Sequence, residues 1–421
     1  MIQRKSRGRI VVIGGGMSGI TAALEASEAG CEVVLVEKSA SLGGRVAALN
    51  QYFPKLCPPQ CGLEINLRRV RTSPWIRCLT LAEVERIDGA PGNYRVDIRQ
   101  APRYVTEKCT LCGECVEVCP EERADEFNLG MGTTKAVYLP HEAAFPMRFA
   151  IDESVCTGTE CGRCVQACVY GAIDLEMKPE TIQVEAQAVI VATGWEPYDA
   201  QRIEGLGFGA YPDVITNVMM ERLAAHSGPT HGRILRPSDG EPPKSVAFVQ
   251  CAGSRDQNYL EHCSGVCCLG SLKQARYIRE QYPEAEVYVF YIDIRAPGRL
   301  EDFYQASQED ERLHLIKGKV ARVTPEDGTG SLVVEAEDVL SGTSTSRSVD
   351  LVVLATGIVP SDASEIQVDG GLRTDAHGFL TREQPSDGLF VAGCAARPTD
   401  VATCVRDASG AVMRALQFCR E

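Results

Sequence analysis

Nineteen of the 421 residues are cysteine, and most fall into three groups whose spacing suits a metal that carries electrons. "CTLCGECVEVCP" holds Cys109, Cys112, Cys115 and Cys119 as C-x2-C-x2-C-x3-C-P. "CTGTECGRCVQAC" holds Cys156, Cys161, Cys164 and Cys168, with a longer first gap and Val169 where a proline usually follows. "CAGSRDQNYLEHCSGVCCLG" holds Cys251, Cys263, Cys267 and Cys268 as C-x11-C-x3-C-C. Thiolates are soft and anionic, and tight turns place several of them around one iron cluster. In a small secreted chain so many cysteines would suggest disulfides. In a chain this long, opening on the basic "MIQRKSRGRI" without a signal-type apolar stretch, they point to metal.

The first two groups resemble the bacterial two-cluster ferredoxin pattern. In that pattern the first three cysteines of each run bind one [4Fe–4S] cubane and the fourth crosses to the other. The resemblance implies one cluster on Cys109, Cys112, Cys115 and Cys168, and another on Cys156, Cys161, Cys164 and Cys119. Structural zinc also uses C-x2-C pairs, but eight cysteines in this order fit it poorly. The long gap 120–155 between the runs predicts a loop or short helix. For the third group, spacing alone leaves three readings: four ligands of one more cubane, a redox disulfide pair, or buried thiols.

Elements must position these thiols. "RIVVIGGGMSGITAALEASEAGCEVVLVEK" reads as strand, turn, helix and strand, with Gly14, Gly16 and Gly19 as G-x-G-x-x-G. The first glycine permits the tight turn, the second lets a pyrophosphate approach the backbone, and the third lets the helix pack closely. The helix N-terminus offers free N–H groups to phosphates. Glu37 ends the second strand, where a carboxylate can accept hydrogen bonds from ribose hydroxyls. This predicts a dinucleotide site. A second strand-like run, "SVAFVQ", leads through the Cys251 segment to a helix at about 269–281 and the strand "EVYVFYID". That half-domain keeps a nucleotide-binding pattern without a recognisable phosphate loop, so NAD(P)H binding there is expected to be lost.

Further motifs sharpen the reading. "SLGGRV" supplies Gly44 and Arg45, "AVIVATG" Thr193 and Gly194, "LVVLATG" Gly357, and "GLFVAGC" Gly393. Their order resembles the two-dinucleotide-binding flavoproteins, which include thioredoxin and glutathione reductases. The resemblance implies FAD at the first site, with the late "FVAG" and the N-terminus of the tail helix near the flavin. That family has Asp where this chain has Cys394. The expected fold is therefore α/β, Rossmann-like and thioredoxin-reductase-like. Its parts would be 1–100 for the start of the FAD domain, 101–180 for an inserted ferredoxin-like domain and 181–240 for FAD domain and connection. A degenerate nucleotide-binding half would follow at 241–350, and the end of the FAD domain at 351–421.

The stretch "CAGSRD…HCSGVCC" is similar to the signature of the heterodisulfide reductase A subunits and their relatives. That resemblance covers nearly the whole chain. It implies a third [4Fe–4S] cluster on Cys251, Cys263, Cys267 and Cys268, near FAD. It also places the lysine five residues past the double cysteine, Lys273, close to the flavin, where its charge could stabilise an anionic reduced form. "LGGRVAALNQYFPKLCPPQCGLEINLRRV", together with the chain's size, looks more like the A subunits of the quinone-interacting membrane-bound oxidoreductase (Qmo) complex of sulfur metabolism. That relationship implies three partners: a second flavin/iron–sulfur subunit, a membrane subunit handling menaquinone, and adenylylsulfate reductase. The chain would then sit peripherally on the cytoplasmic face of the membrane. The rival readings are an electron-bifurcating heterodisulfide reductase component, a thiol–disulfide reductase using Cys57 and Cys61 (C-x3-C after the Gly43–Gly44 pair), and a flavin-free cluster scaffold.

The bulk numbers narrow the classes of partner. The net charge of −14 argues against phosphate-driven nucleic-acid binding. No run of about twenty apolar residues suggests a membrane span, and the C-terminal "LQFCRE" lacks a prenylation pattern. Cys31, Cys78, Cys404 and Cys419 read as packing residues. His262, beside Cys263, reads as a loop histidine, with hydrogen bonding to a cluster as its alternative role.

Overall fold

The computed structural model describes residues 6–53 and 55–419. Of the terminal stretches read in the sequence, residues 1–5 and 420–421 lie outside them. The G-x-G-x-x-G unit forms the centre of a five-stranded parallel sheet. Its order is Leu389–Val391, Ala188–Val191, Arg9–Ile13, Glu32–Glu37 and Ile76–Thr80. Both faces are covered, which explains the unbroken apolar runs. Ile10 and Val12 face the helices Met17–Glu28, Gln60–Thr72 and Val401–Ala415. Val11 and Ile13 face a second, four-stranded sheet.

That second sheet explains how the cysteine-rich segment is inserted. Its strands Asn93–Gln100 and Glu180–Ala186 pair antiparallel, with Gln100 opposite Glu180. The chain therefore leaves and re-enters at one hairpin end, and the segment between closes on itself. Val105 bridges Ile173, and Cys115, Cys119 and Cys164 share a small core with Phe149 and Ile151. The gap 120–155 is mostly loop and turn, as expected, with short strands added. It holds two short antiparallel pairs, Glu122–Ala124 with Thr133–Lys135 and Val137–Tyr138 with Ala150–Ile151.

The second parallel sheet runs Val214–Thr216, Leu351–Thr356, Ser245–Ala252, Glu286–Tyr291 and Leu313–Lys317. One face carries the antiparallel meander Val320–Pro325, Leu332–Asp338 and Thr343–Val349, and the other the helices Asn217–Ala224 and Cys267–Gln281. "LVVLATG" thus supplies a strand to this sheet, beside Ser245–Ala252, and not to the sheet around Arg9–Ile13. The two sheets use near-identical apolar strands ending in A-T-G, so the local pattern does not say which one a strand joins. Among the described residues, no helix is long and apolar enough to cross a membrane.

Candidate functional site: a flavin cavity and three thiol groups

A cavity of about 620 Å³ opens at the C-terminal end of the first sheet. Gly14, Gly16, Glu37, Gly44, Arg45, Thr193 and Gly194 all line it. Its cradle is made by close backbone approach. A Cβ on Gly14, whose φ is +106°, would lie 2.2 Å from the Ala192 carbonyl, and one on Gly19 would lie 1.7 Å from the Gly14 carbonyl. Gly16 instead faces open space, its nearest neighbour being Gly44 Cα at 3.9 Å. Glu37 is buried. Its carboxylate accepts from Gly15 N–H at 2.6 Å and Ser39 N–H at 2.7 Å, which fixes it at the strand end. Arg45 pairs with Glu196 and lies over Trp195, 5.7 Å from the ring centre. The Thr193 hydroxyl is buried and bonds to nothing in the protein, a state that buried polar groups rarely keep without a ligand. These features fit a dinucleotide.

Gly44 gives a direct check. Its φ is +54°, and a Cβ there would stand 2.8 Å from Gly16 Cα. Gly44→Ala is expected to yield protein that has lost most of its flavin but keeps its iron. Flavin absorbance and iron per chain measure both.

Gly19, Gly357 and Gly393 stand outside the wall of the cavity. Gly357 packs on Ser254 and Ser264 of the Cys251 segment, and Gly393 packs on Ser18 and Cys404. The gap 120–155, in contrast, supplies Arg123, Phe127, Tyr138 and His141 to the wall. Two buried arginines fasten this insertion. Arg103 donates to Thr80 Oγ1 at 2.8 Å and to the Ala40 carbonyl. Arg222 donates to Asn128 Oδ1 at 2.9 Å and to the Ala48 carbonyl at 3.2 Å, and stacks on Phe127.

His141 stacks on Phe127 and sits 3.3 Å from Ser41 Oγ. Burial first, and the Arg222 charge second, lower its pKa from 6.5 to about 4. The folded protein therefore binds this proton less readily than the unfolded chain. Stability from this group is full above about pH 6.5 and declines as pH falls toward about 4. His141→Gln is expected to flatten the stability–pH curve in that window, as read by denaturant titration.

The cysteine-rich insertion gathers one of the two expected crossed sets of thiols in one place. Cys109, Cys112, Cys115 and Cys168 line one small pocket with Val105, Phe149, Ala172 and Ile173. Left-handed turns at Leu111 and Gly113 let the first run wrap. The Ala172 N–H points at Cys168 Sγ, 3.3 Å away. Around Cys164, burial raises the thiol pKa, and the nearby charges of Cys156 and Cys119 add to the rise. Among the described residues, no three His, Cys, Asp or Glu side chains converge tightly enough for a single metal ion.

The third group also converges. Cys251 and Cys268 are buried, and Cys251 sits in a left-handed conformation at φ +56°. Burial and then the charges of Cys251, Cys268 and Cys263 push the Cys267 thiol up to about 12. Such mutual opposition to ionisation is removed when the thiolates share a cation. Gly265 N–H lies 3.3 Å from Cys263 Sγ. His262 binds the Ile358 carbonyl through Nε2 at 2.9 Å, and its buried Nδ1 has no partner.

Cys267 and Cys268 begin the helix Cys267–Gln281, and Lys273 lies in its second turn. Its ammonium is buried, 3.0 Å from Glu221 Oε1. Glu221, not Lys273, stands in the cavity wall. Its carboxylate also accepts from Asn50 N–H at 3.0 Å and Gln274 Nε2 at 2.7 Å. No motif marks Glu221 in "NVMMERLAA", so its role is visible only in three dimensions. Cys57 is half-buried and Cys61 exposed, both with free thiols and neither in the cavity wall. Cys404, read as a packing residue, stands 3.7 Å from Cys394 in that wall.

Comparison with known proteins agrees with this geometry. The family described as FAD dependent oxidoreductase matches residues 9–65, and the 4Fe-4S binding domain family matches residues 102–122. Solved structures share the fold. Thioredoxin reductase of Lactococcus lactis superposes with a TM-score of 0.53 at 14% identity, covering 98% of this chain and 99% of that one. Thioredoxin reductase of T. acidophilum gives 0.52 at 12%, covering 97% and 98%. The A subunit of the H(2):CoB-CoM heterodisulfide,ferredoxin reductase of Methanothermobacter marburgensis is 41% identical over 97% of this chain and 63% of its own length. One of the iron-sulfur A subunits of the CoB--CoM heterodisulfide reductase of Methanopyrus kandleri is 42% identical over 97% and 64%. The chain thus spans a little under two thirds of these curated relatives. It carries a FAD-dependent oxidoreductase domain of thioredoxin-reductase-like fold with an inserted 4Fe-4S binding domain, and its relatives at about 41% identity are heterodisulfide reductase A subunits.

Proposed function

We propose that the chain is the FAD and iron–sulfur electron-transfer component of a heterodisulfide-reductase-like complex, holding one FAD and three [4Fe–4S] clusters. The carrying observation is the helix Cys267–Gln281. It starts at the third thiol group and presents Lys273 to Glu221 in the flavin cavity wall. Six residues of helix span about 9 Å, so thiol group and cavity are adjacent. FAD exchanges electrons in pairs and singly, which links two-electron chemistry to one-electron clusters. The protein's own contribution is placement. The glycine cradle takes the pyrophosphate, Glu37 takes a ribose, and the crossed cysteine sets hold two clusters in the insertion. Glu221 and Lys273 set the charge beside the flavin.

A second reading rests on the segment 42–70 noted in the sequence. There the chain serves a quinone-interacting complex at the cytoplasmic face of the membrane. Its partners are adenylylsulfate reductase, a second flavin/iron–sulfur subunit and a membrane subunit that handles menaquinone. The test begins with iron, acid-labile sulfide and FAD on anaerobically prepared protein. About twelve iron and one FAD per chain support the reading. About eight iron with one FAD would sink the third cluster. Affinity purification from the native host then separates the two complexes by whether a membrane protein or soluble reductase components come with the chain.

A further inference from the structure

Cys394 and Cys404 are ten residues apart in sequence and lie on different elements, a turn at Gly393–Ala395 and the first turn of the helix Val401–Ala415. Both thiols are buried, both line the flavin cavity, and their sulfurs are 3.7 Å apart. No cluster ligand set includes either one. We propose that Cys394 and Cys404 form an oxidisable dithiol in the cavity wall, closed to a disulfide by a small hydroperoxide that enters the cavity.

The geometry favours closure. A disulfide needs its sulfurs at about 2.05 Å, and both side chains already point at one another across a gap too small for a water. Cys404 is the nucleophile. The Cys394 hydrogen bond lowers its pKa, burial opposes this, and the Ser18 contact adds to the lowering. While Cys404 is protonated, the single Cys394 S–H has the Thr399 carbonyl as acceptor at 3.5 Å, and it turns to the Cys404 sulfur when that thiolate forms. Attack of Cys404 sulfur on the peroxide oxygen breaks the O–O bond and gives a sulfenic acid and one molecule of water or alcohol. Cys394 sulfur then attacks the sulfenyl sulfur and releases a water. The two thiols lose two electrons and two protons, and the peroxide gains them. The product ties the late glycine turn to the C-terminal helix. Gly393 already packs on Ser18 of the cradle helix, so the bond fixes three parts of the flavin cavity at once. The proposal does not depend on which partner complex the chain serves.

The test uses anaerobic holoprotein treated with about one equivalent of hydrogen peroxide. It is quenched in denaturant with an alkylating agent, digested and weighed. The expected result is a peptide carrying both Cys394 and Cys404 that has lost both alkylation sites while iron per chain is unchanged. In Cys404→Ser protein, and separately in Cys394→Ser protein, the remaining thiol is expected to show no intramolecular cross-link. The idea is overturned if both cysteines stay alkylatable until iron is released. A sulfenic acid on Cys404 that persists without the cross-link overturns it as well.

Discussion

Replacing Cys267 and Cys268 together by Ala is expected to lower the iron content from about twelve to about eight atoms per chain and to leave FAD in place. The argument separates ligand loss from fold loss. The two cysteines occupy the first turn of a fifteen-residue helix, and Ala is the best helix former. Cys267 Sγ donates weakly to the Thr356 carbonyl at 3.5 Å and meets the Ser264 hydroxyl, and Cys268 Sγ donates to the Asp293 carbonyl at 3.6 Å and meets the Arg295 backbone, all weak thiol contacts. The sheet and cradle that hold FAD belong to other strands. The fold should therefore survive at a cost of about 1–2 kcal/mol, the ordinary size for a core substitution, while half of the proposed third ligand set is gone. Iron, sulfide and flavin are measured on the same sample. Unchanged iron at about twelve atoms would show that this group holds no cluster. Loss of flavin together with iron would show that the group supports the cavity instead of a cofactor of its own.

Much of this site was legible because its determinants are local. Gly14, Gly16, Gly19 and Glu37 act within one strand–turn–helix–strand unit, and backbone clearance alone demands Gly14 and Gly19. The crossed pairing of Cys168 with Cys109, Cys112 and Cys115 followed from the ferredoxin resemblance, and one pocket gathers those four residues. What stayed hidden depends on tertiary packing. Cys394 and Cys404 have no motif spacing, and only the meeting of a turn and a helix N-terminus joins them. Gly357 follows a strand that the local pattern could not assign between two parallel sheets. The stretch 120–155 reads as a spacer, yet it walls the flavin cavity because Arg103 and Arg222 draw the insertion down onto the FAD domain. Glu221 sits in a helix of ordinary composition, and its partners come from residue 50 and from the helix Cys267–Gln281.

That buried pair makes the sharpest electrical prediction. Glu221 and Lys273 are only 3% and 5% exposed, so water screens them little. With an anionic reduced flavin in the cavity, the two charges act in opposite directions. Removing the Glu221 charge should ease reduction, and removing the Lys273 charge should hinder it. A unit charge about 8 Å away, at an effective dielectric of about 20, is worth about 2 kcal/mol. For a two-electron couple that corresponds to about 40 mV. Glu221→Gln is thus expected to raise the flavin midpoint potential and Lys273→Met to lower it, each by tens of millivolts. Stability separates this from general damage. Lys273→Met strands a buried carboxylate and should cost about 3–5 kcal/mol, whereas the double variant removes both charges and should recover most of that loss. It should also bring the potential back toward the starting value, because the two shifts oppose. Spectroelectrochemical titration of the four proteins measures the potentials, and denaturant titration of the same four measures the stabilities. Shifts of the same sign in both single variants would show that the pair holds the fold together without tuning the flavin.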